Sequence, residues 1–428
     1  MKSFNDIIVE LYRNEDPLAT CRTVTFQVTD DCCLKCSYCY QINKHHNMMS
    51  KEVIKQGIDL LFRMYDEDKE NAFINHHTKG IILDFIGGEP LMNVPVMSYG
   101  TEYFIEQCIE RQHIWLTNFR VSISSNGILY FEKEFQDYLN KFGQFISLNI
   151  TIDGPKQLHD SCRVDYDGNG SFDRVLAAFE DYTKRYYNIP TKVTIAPENL
   201  PYLNEIIDFF LEHNCTVINA NPIYEHKWTI EDSQVYYQQL KLLADKLLNN
   251  PQITSSLFNE QFGIPKLSTD NSNWCGGTGA MLAFDYQGLA YPCLRYMSSS
   301  LGEDREPIII GNTQNIYITN KDKQTYEQLK QITRRSQSTD ECFNCSIATG
   351  CSWCSAWNYQ EFGTCNKRST NICWMHRARS LANTYYYNTY YIINKSEKRM
   401  PVYLERDIAN KIISDEEYDT LLRLSLNI

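Results

Sequence analysis

The sequence predicts an α/β protein, a partial (β/α)6 barrel followed by a C-terminal cysteine-rich, metal-binding domain. Between residues 20 and 222, short β-branched or aromatic runs alternate with helix-periodic stretches, the pattern of βα units around a parallel sheet. The six strands so identified are too few for a closed eight-unit barrel, so an open barrel with a concave face is the economical reading. Twelve of the 16 cysteines crowd into two regions, which points to metal ligands.

Composition narrows the class further. The 428 residues are 43% hydrophobic, enough for one large or two medium cores, which excludes disorder as a description of the whole. Lys and Arg total 41 against 53 Asp and Glu, a net charge of -12, so the surface is expected to repel nucleic acid and anionic lipid. The opening MKSFNDIIVELYRNEDPL lacks the basic end, apolar middle and small-residue cleavage site of a secretory signal, and no apolar run reaches transmembrane length. A cytoplasmic protein without nucleic-acid or membrane partners is expected, in which disulfides are not.

The elements follow in order. Strands are predicted at Arg22–Thr29, Ile81–Ile86, Arg120–Ser125, Ser147–Asp153, Thr191–Ala196 and Cys215–Asn221. Ser171 is expected to cap a helix whose Phe172, Val175, Leu176 and Phe179 share a face, and Leu203, Ile206, Ile207, Phe210 and Leu211 repeat that spacing. A helix-like stretch, Ile230–Leu248, leads to Pro251 and to the polar segment Ser268–Asn273, read as a boundary. Met281–Phe284 and Leu289–Tyr291 flank Asp285–Gly288, a hairpin expected to bring Cys275 and Cys293 together at its open end. A Tyr-rich helix, Trp374–Tyr391, and a charged tail complete the chain. The domains expected are an extension (1–19), the barrel (20–229), a bridging region (230–273), the cysteine-rich domain (274–375) and a helical tail (376–428).

Cys32, Cys36 and Cys39 form C-x3-C-x2-C just past the first strand. Three thiolates on one loop suit three corners of a [4Fe–4S] cubane and leave one iron open. A structural zinc loop would need a fourth ligand, and Cys33 is too near Cys32 in sequence to be a good one. With Tyr38 before the last cysteine, the motif resembles the signature of radical S-adenosylmethionine enzymes. Gly87-Gly88-Glu89-Pro90 after the second strand is similar to that family's GGEP motif, whose backbone and acid engage the amino group of the bound methionine. Paired glycines permit close approach of main chain to a ligand, and a carboxylate suits an ammonium. Ser125-Asn126-Gly127 and Asp153-Gly154-Pro155, with His159, Asp160 and Arg163 following, look like the strand ends of peptide- and protein-modifying members, as does the segment TIAPENL from Thr194 to Leu200. The resemblance, covering about residues 20–375, implies that Tyr38, Gly87, Gly88, Glu89, Ser125, Asn126, Asp153 and Arg163 bind the cofactor, with Ser125 and Arg163 near its ribose and carboxylate. Each also has a plainer reading as turn chemistry or a salt-bridged arginine.

Cys275 and Cys293, then Cys342, Cys345, Cys351 and Cys354, then Cys373, resemble the SPASM extension of that family, which carries auxiliary [4Fe–4S] clusters. Two residues separate Cys351 from Cys354 where the usual pattern has three. The resemblance implies that Cys342, Cys345, Cys351 and Cys373 hold one auxiliary cluster and Cys275, Cys293 and Cys354 another, with Cys365 a fourth ligand or a spare. C-x2-C pairs also bind zinc, and spacing alone does not separate the metals; the upstream motif favours iron–sulfur. His45-His46 and His76-His77 are read as solvated loops, and Cys21, Cys108, Cys162 and Cys215 as buried small side chains. The Tyr385–Tyr391 run suits a peptide grip or a packed helix face equally well.

The resemblance implies three [4Fe–4S] clusters, one of them binding S-adenosyl-L-methionine, and a 5′-deoxyadenosyl radical that abstracts hydrogen from a peptide. The partners implied are a ribosomally made precursor peptide with a leader and a Cys-containing core, and an electron donor such as flavodoxin or ferredoxin. Thioether crosslinking is favoured over formylglycine formation by the anaerobic sulfatase-maturing type, because that group has an acidic base directly after the second SPASM cysteine, and here Leu294 and Arg295 follow Cys293. A non-catalytic metal-binding or electron-transfer scaffold is the reading from another class. Many peptide maturases carry an N-terminal leader-binding module of roughly 80 residues. With 31 residues before Cys32, leader recognition is expected of the C-terminal tail, the barrel's outer face or a separate protein.

Overall fold

The computed structural model describes residues 19–70, 72–186, 191–260, 262, 275–348 and 351–426. The boundary segment Ser268–Asn273 and nearly all of the N-terminal extension lie outside them. In chain order the strands are β1 (Thr20–Thr29), β2 (Thr78–Gly87), β3 (Phe119–Ser125), β4 (Ile146–Ile150), β5 (Thr191–Ile195), β6 (Val217–Pro222), β7 (Thr254–Ser255), β8 (Met281–Phe284), β9 (Leu289–Tyr291) and β10 (Gly311–Asn312). The helices are α1 (Lys51–Glu67), α2 (Val94–Glu110), α3 (Lys133–Phe142), α4 (Lys156–Cys162), α5 (Phe172–Arg185), α6 (Leu203–Glu212), α7 (Ile230–Asn249), α8 (Asn320–Lys330), α9 (Arg334–Gln337), α10 (Asp340–Phe343), α11 (Ser355–Phe362), α12 (Cys373–Ile393), α13 (Arg406–Ala409) and α14 (Asp415–Leu426). Each of the six strands predicted in the barrel is present, displaced by at most three residues at an end.

The chain divides into two compact units that interleave in sequence, residues 1–150, 165–167 and 275–332 in the first and 151–164, 168–274 and 333–428 in the second.

In the first unit, β8, β1, β2, β3 and β4 form a parallel run, to which β9 and β10 add antiparallel at the β8 edge. Alternation along the strands sets what each face carries. Val24, Phe26 and Val28 are fully buried on one face, where Phe26 stacks on Phe284 with centroids 5.5 Å apart. Gly57 of α1 lies against the same ring, close enough that a Cβ there would come within 2.7 Å of it. The other face carries a polar row. Thr25 pairs with Asp84, Asp84 with Ser122 and Ser122 with Ser147, one straight row across four strands, and the Thr25 hydroxyl donates to Asp84 Oδ2 at 3.0 Å. The hairpin turn is where the sequence places it. Asp285 Oδ1 accepts from the Gln287 and Leu289 N–H groups, each at 2.9 Å, and Gly288 adopts φ +86°. The pairing of this hairpin with β1 is a finding of the structure, since local periodicity does not say which edge a strand joins.

In the second unit, β5, β6 and β7 form a short parallel sheet, and Thr151, just past β4, makes one parallel bridge with Lys192. Ser171 precedes α5 as expected but does not cap it. Asp160 Oδ1 accepts from the N–H groups of Ser171 and Phe172 at 2.8 and 2.9 Å, while the Ser171 hydroxyl donates to Arg163 O. A carboxylate at a helix N-terminus outcompetes a hydroxyl with another partner. The α6 face expected from sequence is buried at Leu203, Ile206, Ile207 and Phe210. A capping box of Thr229 and Asp232 starts α7, which packs along α12. Tyr385 of α12 donates to Asp245 at 2.7 Å, Tyr391 pairs with Glu260, and Asn388, fully buried, donates to Met400 O at 2.8 Å. Much of the tyrosine run therefore works in helix packing. No helix among the described residues is long and apolar enough to cross a membrane.

Candidate active site

The loop after β1 is fastened at its base. Thr29 Oγ1 donates to Asn47 O at 2.7 Å, the Asp30 carboxylate accepts the backbone and side-chain N–H of Asn47 at 2.9 Å, and Met49 N–H returns to Val28 O at 2.9 Å. Cys32, Cys36 and Cys39 lie between these ties, with Tyr38 half-buried among them. Cys32 is buried and its Sγ accepts from Leu34 N–H at 3.4 Å; Cys39 closes a turn on Cys36 O at 3.3 Å. Lys44 reaches back into the loop, its Nζ donating to Leu34 O at 3.0 Å. Burial opposes its charge, yet Cys32, Cys39, Cys36 and Tyr166 hold its pKa above the ordinary lysine value. One cation therefore faces all three cysteines of the motif. Spacing gave no sign of Lys44, because it enters through the path of the loop.

Cys33 bonds through its side chain to Cys32 and accepts from Asn126 Nδ2 at 3.3 Å. That shared hydrogen bond first, then burial, hold the Cys32 thiol well above the usual thiol range. Behind the loop stands the GGEP turn. A Cβ on Gly87 would come within 2.6 Å of Thr29 O, and one on Gly88 within 2.2 Å of Asp31 O. The paired glycines thus allow main chain to approach main chain, with Gly88 N–H to Thr29 O at 3.1 Å and Glu89 N–H to Asp31 O at 2.8 Å. Glu89 is fully buried; its carboxylate accepts from Leu91 N–H at 3.0 Å, the Ser125 hydroxyl at 2.7 Å and Asn126 N–H at 2.7 Å. Ser125 and Asn126 are therefore drawn to the same carboxylate at the ends of β2 and β3.

The segment after Cys293 is zipped to this loop. Asn43 Nδ2 donates to the carbonyls of Ser298 and Leu301 at 2.9 and 2.8 Å, and Gln27 Nε2 to Ser299 Oγ at 2.9 Å. The Arg295 guanidinium sits over the Tyr40 ring, 5.1 Å from its centroid. Burial pushes the Tyr40 phenol up, and Arg295, Cys39, Asp84 and Cys293 are the charges around it. Cys275 lies just before β8 and Cys293 just after β9.

In the second unit Asp153 and Arg163, both candidate cofactor contacts, are buried and paired, Arg163 Nε to Asp153 Oδ2 at 2.7 Å. His159 is fixed by the same turn. Its Nδ1 accepts from Asp153 N–H at 3.2 Å, and its Nε2 meets Ser171 Oγ at 2.9 Å. Since that hydroxyl donates to Arg163 O, the imidazole donates through Nε2 and is neutral. Burial lowers its pKa to about 4.

Three of the C-terminal cysteines, Cys351, Cys342 and Cys373, bear on the charge of one buried cation, Arg368. Cys342 lies in α10, Cys345 closes a turn on Cys342 O at 3.3 Å, Cys351 is buried and Cys373 opens α12. Burial, then Cys351 and Cys342, push the Cys373 thiol up to about 12. Arg368 faces Cys351, Cys342 and Cys373, which hold it above its ordinary value despite its burial. Buried donors here lack partners among the described residues, namely Gln337 Nε2, Ser338 Oγ, Trp357 Nε1 and Arg368 Nη1. The described residues hold no preformed group of three or more metal-ligating side chains, yet unsatisfied donors beside Cys351, Cys342 and Cys373 suit sulfur acceptors. Gln41 Nε2, buried two residues past Cys39, is a similar donor at the first motif. Cys354 instead starts α11, its Sγ accepting from Trp357 N–H at 3.4 Å, and Cys365 is buried. His45, His46, His76 and His77 are exposed, whereas Cys108, Cys162 and Cys215 are buried; Cys21 is half-exposed.

Residues 26–210 match the model of the Radical SAM superfamily, whose fold implies a [4Fe–4S] cluster and S-adenosylmethionine. An uncharacterized protein of Methanocaldococcus jannaschii is 29% identical over 43% of this chain, a match spanning 57% of that relative's length. The cysteine-type anaerobic sulfatase-maturating enzyme of Clostridium perfringens is 26% identical over 62% of this chain and 72% of its own. Among solved structures, native anSMEcpe with bound AdoMet superposes with a TM-score of 0.65 at 17% identity, covering 87% of this chain and all of that one. Streptococcus suis SuiB bound to precursor peptide SuiA gives 0.56 at 13%, covering 86% of this chain and 79% of its own. Residues 26–210 of this chain match the Radical SAM superfamily, and over 62% of its length the chain is similar to an anaerobic sulfatase-maturating enzyme.

Proposed function

We propose that this protein is a radical S-adenosylmethionine peptide maturase acting on a ribosomally made precursor that contains cysteine, and that it joins cysteine sulfur to a carbon of another residue as a thioether. The observation that carries the reading is the loop of Cys32, Cys36 and Cys39 with Lys44 Nζ bonded back to it at Leu34 O, beside the buried Glu89 that accepts from Ser125 and Asn126. Held at those cysteines, the cluster and cofactor would supply the radical that takes a hydrogen atom from the peptide carbon, and an auxiliary cluster would take the electron left when sulfur closes on that carbon and the thiol proton leaves. The chain's residues do the rest. Lys44 offsets the charge of three thiolates, and Glu89 holds the ends of β2 and β3 at the loop. The polar row of Thr25, Asp84, Ser122 and Ser147 lines one face of the sheet, with Thr25 buried and bonded to Asp84. A peptide substrate is supported by the names of the relatives, which are sulfatase-maturating enzymes and a protein bound to its precursor peptide.

Cys342, Cys345, Cys351 and Cys373 would hold one auxiliary cluster, and Cys275, Cys293 and Cys354 would contribute to a second. A flavodoxin or ferredoxin would supply electrons. Formylglycine formation is the second reading, favoured by the likeness to the Clostridium perfringens enzyme. It is disfavoured by Arg295, a cation lying over Tyr40 two residues after Cys293, where Leu294 already takes the position of the acidic base.

The test is anaerobic. The reconstituted protein is expected to bind about twelve irons, as three four-iron clusters require, and to form 5′-deoxyadenosine with dithionite and S-adenosylmethionine. Mass spectrometry on a Cys-containing precursor peptide, sought among small genes neighbouring its own, should show loss of two hydrogens and of one titratable thiol per crosslink. An aldehyde on a sulfatase-derived peptide would select formylglycine formation instead; zinc in place of iron, with no nucleoside formed, would overturn both.

A further inference from the structure

Arg368 stands out among the basic residues of the second unit by its position. Its side chain is 7% exposed, its backbone N–H donates to Gln337 O at 3.0 Å, and Nη2 donates to Cys351 O at 2.6 Å. Nη1, also buried, has no hydrogen-bond partner among the described residues. The charges that face this guanidinium are the thiols of Cys351, Cys342 and Cys373. An unpaired guanidinium N–H in an interior is costly, so an acceptor belongs beside it. The acceptors that Arg368 already holds are the carbonyl oxygens of Gln337 and Cys351, and the thiols of Cys351, Cys342 and Cys373 are the acidic groups bearing on its charge.

The geometry points to Arg368 as the positioning and charge-compensating residue of the four-cysteine centre, anchored through Nη2 to the carbonyl of its ligand Cys351 and donating through Nη1 to sulfur. This rests on the reading of Cys342, Cys345, Cys351 and Cys373 as cluster ligands. Two consequences follow. The anchored guanidinium fixes the backbone of Cys351 between Cys345 and Cys373, so the ligand set is partly preorganised. A cationic donor also stabilises the reduced, more negative state of a cluster over the oxidised one, which raises its reduction potential. An arginine serving only as a carbonyl anchor would leave that potential unmoved.

The experiment is a redox titration followed by electron paramagnetic resonance on the anaerobically reconstituted full chain, comparing wild type with Arg368→Met and Arg368→Lys, with iron counted in each. In Arg368→Met one auxiliary signal is expected to shift to a more negative midpoint while the cluster of Cys32, Cys36 and Cys39 keeps its own, and Arg368→Lys is expected to fall between. Loss of that single cluster from an otherwise folded Arg368→Met chain supports the same assignment. If Arg368→Met yields no soluble protein, the Arg368→Lys titration decides. Unchanged midpoints at unchanged iron content overturn the role of Arg368 and leave the cluster reading standing. A wild type with no auxiliary signal, and iron for the first cluster alone, overturns the cluster reading itself.

Discussion

Gly88 and Asp31 meet backbone to backbone, so closely that a β-carbon on Gly88 would lie 2.2 Å from the Asp31 carbonyl oxygen. The contact joins the end of β2 to the root of the cysteine loop, and main chain cannot yield there as a flexible side chain would. Gly88→Ala is therefore expected to lower stability by about 1–3 kcal/mol or more and to loosen the loop. Urea unfolding of the apoprotein, with iron retained by the reconstituted variant, checks it; wild-type values for both would refute the constraint.

Lys44 is the cation that Cys32, Cys39 and Cys36 share. A charge facing three thiolates in a partly buried loop is worth on the order of 1–3 kcal/mol, so Lys44→Met should slow 5′-deoxyadenosine formation roughly tenfold, with Lys44→Arg milder. Changing Cys32, Cys36 and Cys39 together to Ala should abolish it while auxiliary iron stays. A Lys44→Met protein as active as wild type would remove the residue from the site.

Asp153 and Arg163 form a buried pair, and each leaves an uncompensated charge when the other is removed. Asp153→Ala or Arg163→Met alone is expected to cost about 3–5 kcal/mol, and the double variant less than the sum. Denaturation of the four proteins of the cycle, together with the KM for S-adenosylmethionine, separates roles. Additive losses would show that the pair is not coupled, and a raised KM without loss of stability would make Arg163 a cofactor contact.

His159 is buried and neutral, its pKa lowered to about 4 by burial, with Asp153 opposing and Arg163 assisting. In the unfolded chain it titrates near its ordinary value of 6.5. Between these values the unfolded state binds the additional proton. The stabilisation is therefore complete above the unfolded value and fades as pH falls towards the folded one, by about 3 kcal/mol in all. His113, at about 4, and His376, at about 3, act in the same direction. The apoprotein's urea midpoint should fall from about pH 7 to about pH 5, and less steeply in His159→Asn. An equal slope in that variant would exclude His159 as a contributor.

Local chemistry carried much of this protein into view from sequence. The strands at Arg22–Thr29 and Ile81–Ile86 and the helix face of Leu203, Ile206, Ile207 and Phe210 were legible because burial repeats with the period of the backbone. The hairpin turn was legible because Asp285 and Gly288 satisfy it within a few residues. The C-x3-C-x2-C motif was legible because three thiols carried by one short loop are close in sequence. Relationships between distant segments were not. The pairing of β8 with β1, the convergence of Ser125 and Asn126 on Glu89, the capping of α5 by Asp160, and the placing of Lys44 and Arg368 against thiols depend on contacts that no local period encodes. The sequence by itself determined which elements form and which chemistry they carry, because those follow from spacing. The tertiary structure alone decided which charge faces which thiol, since packing brings residues together irrespective of their separation along the chain.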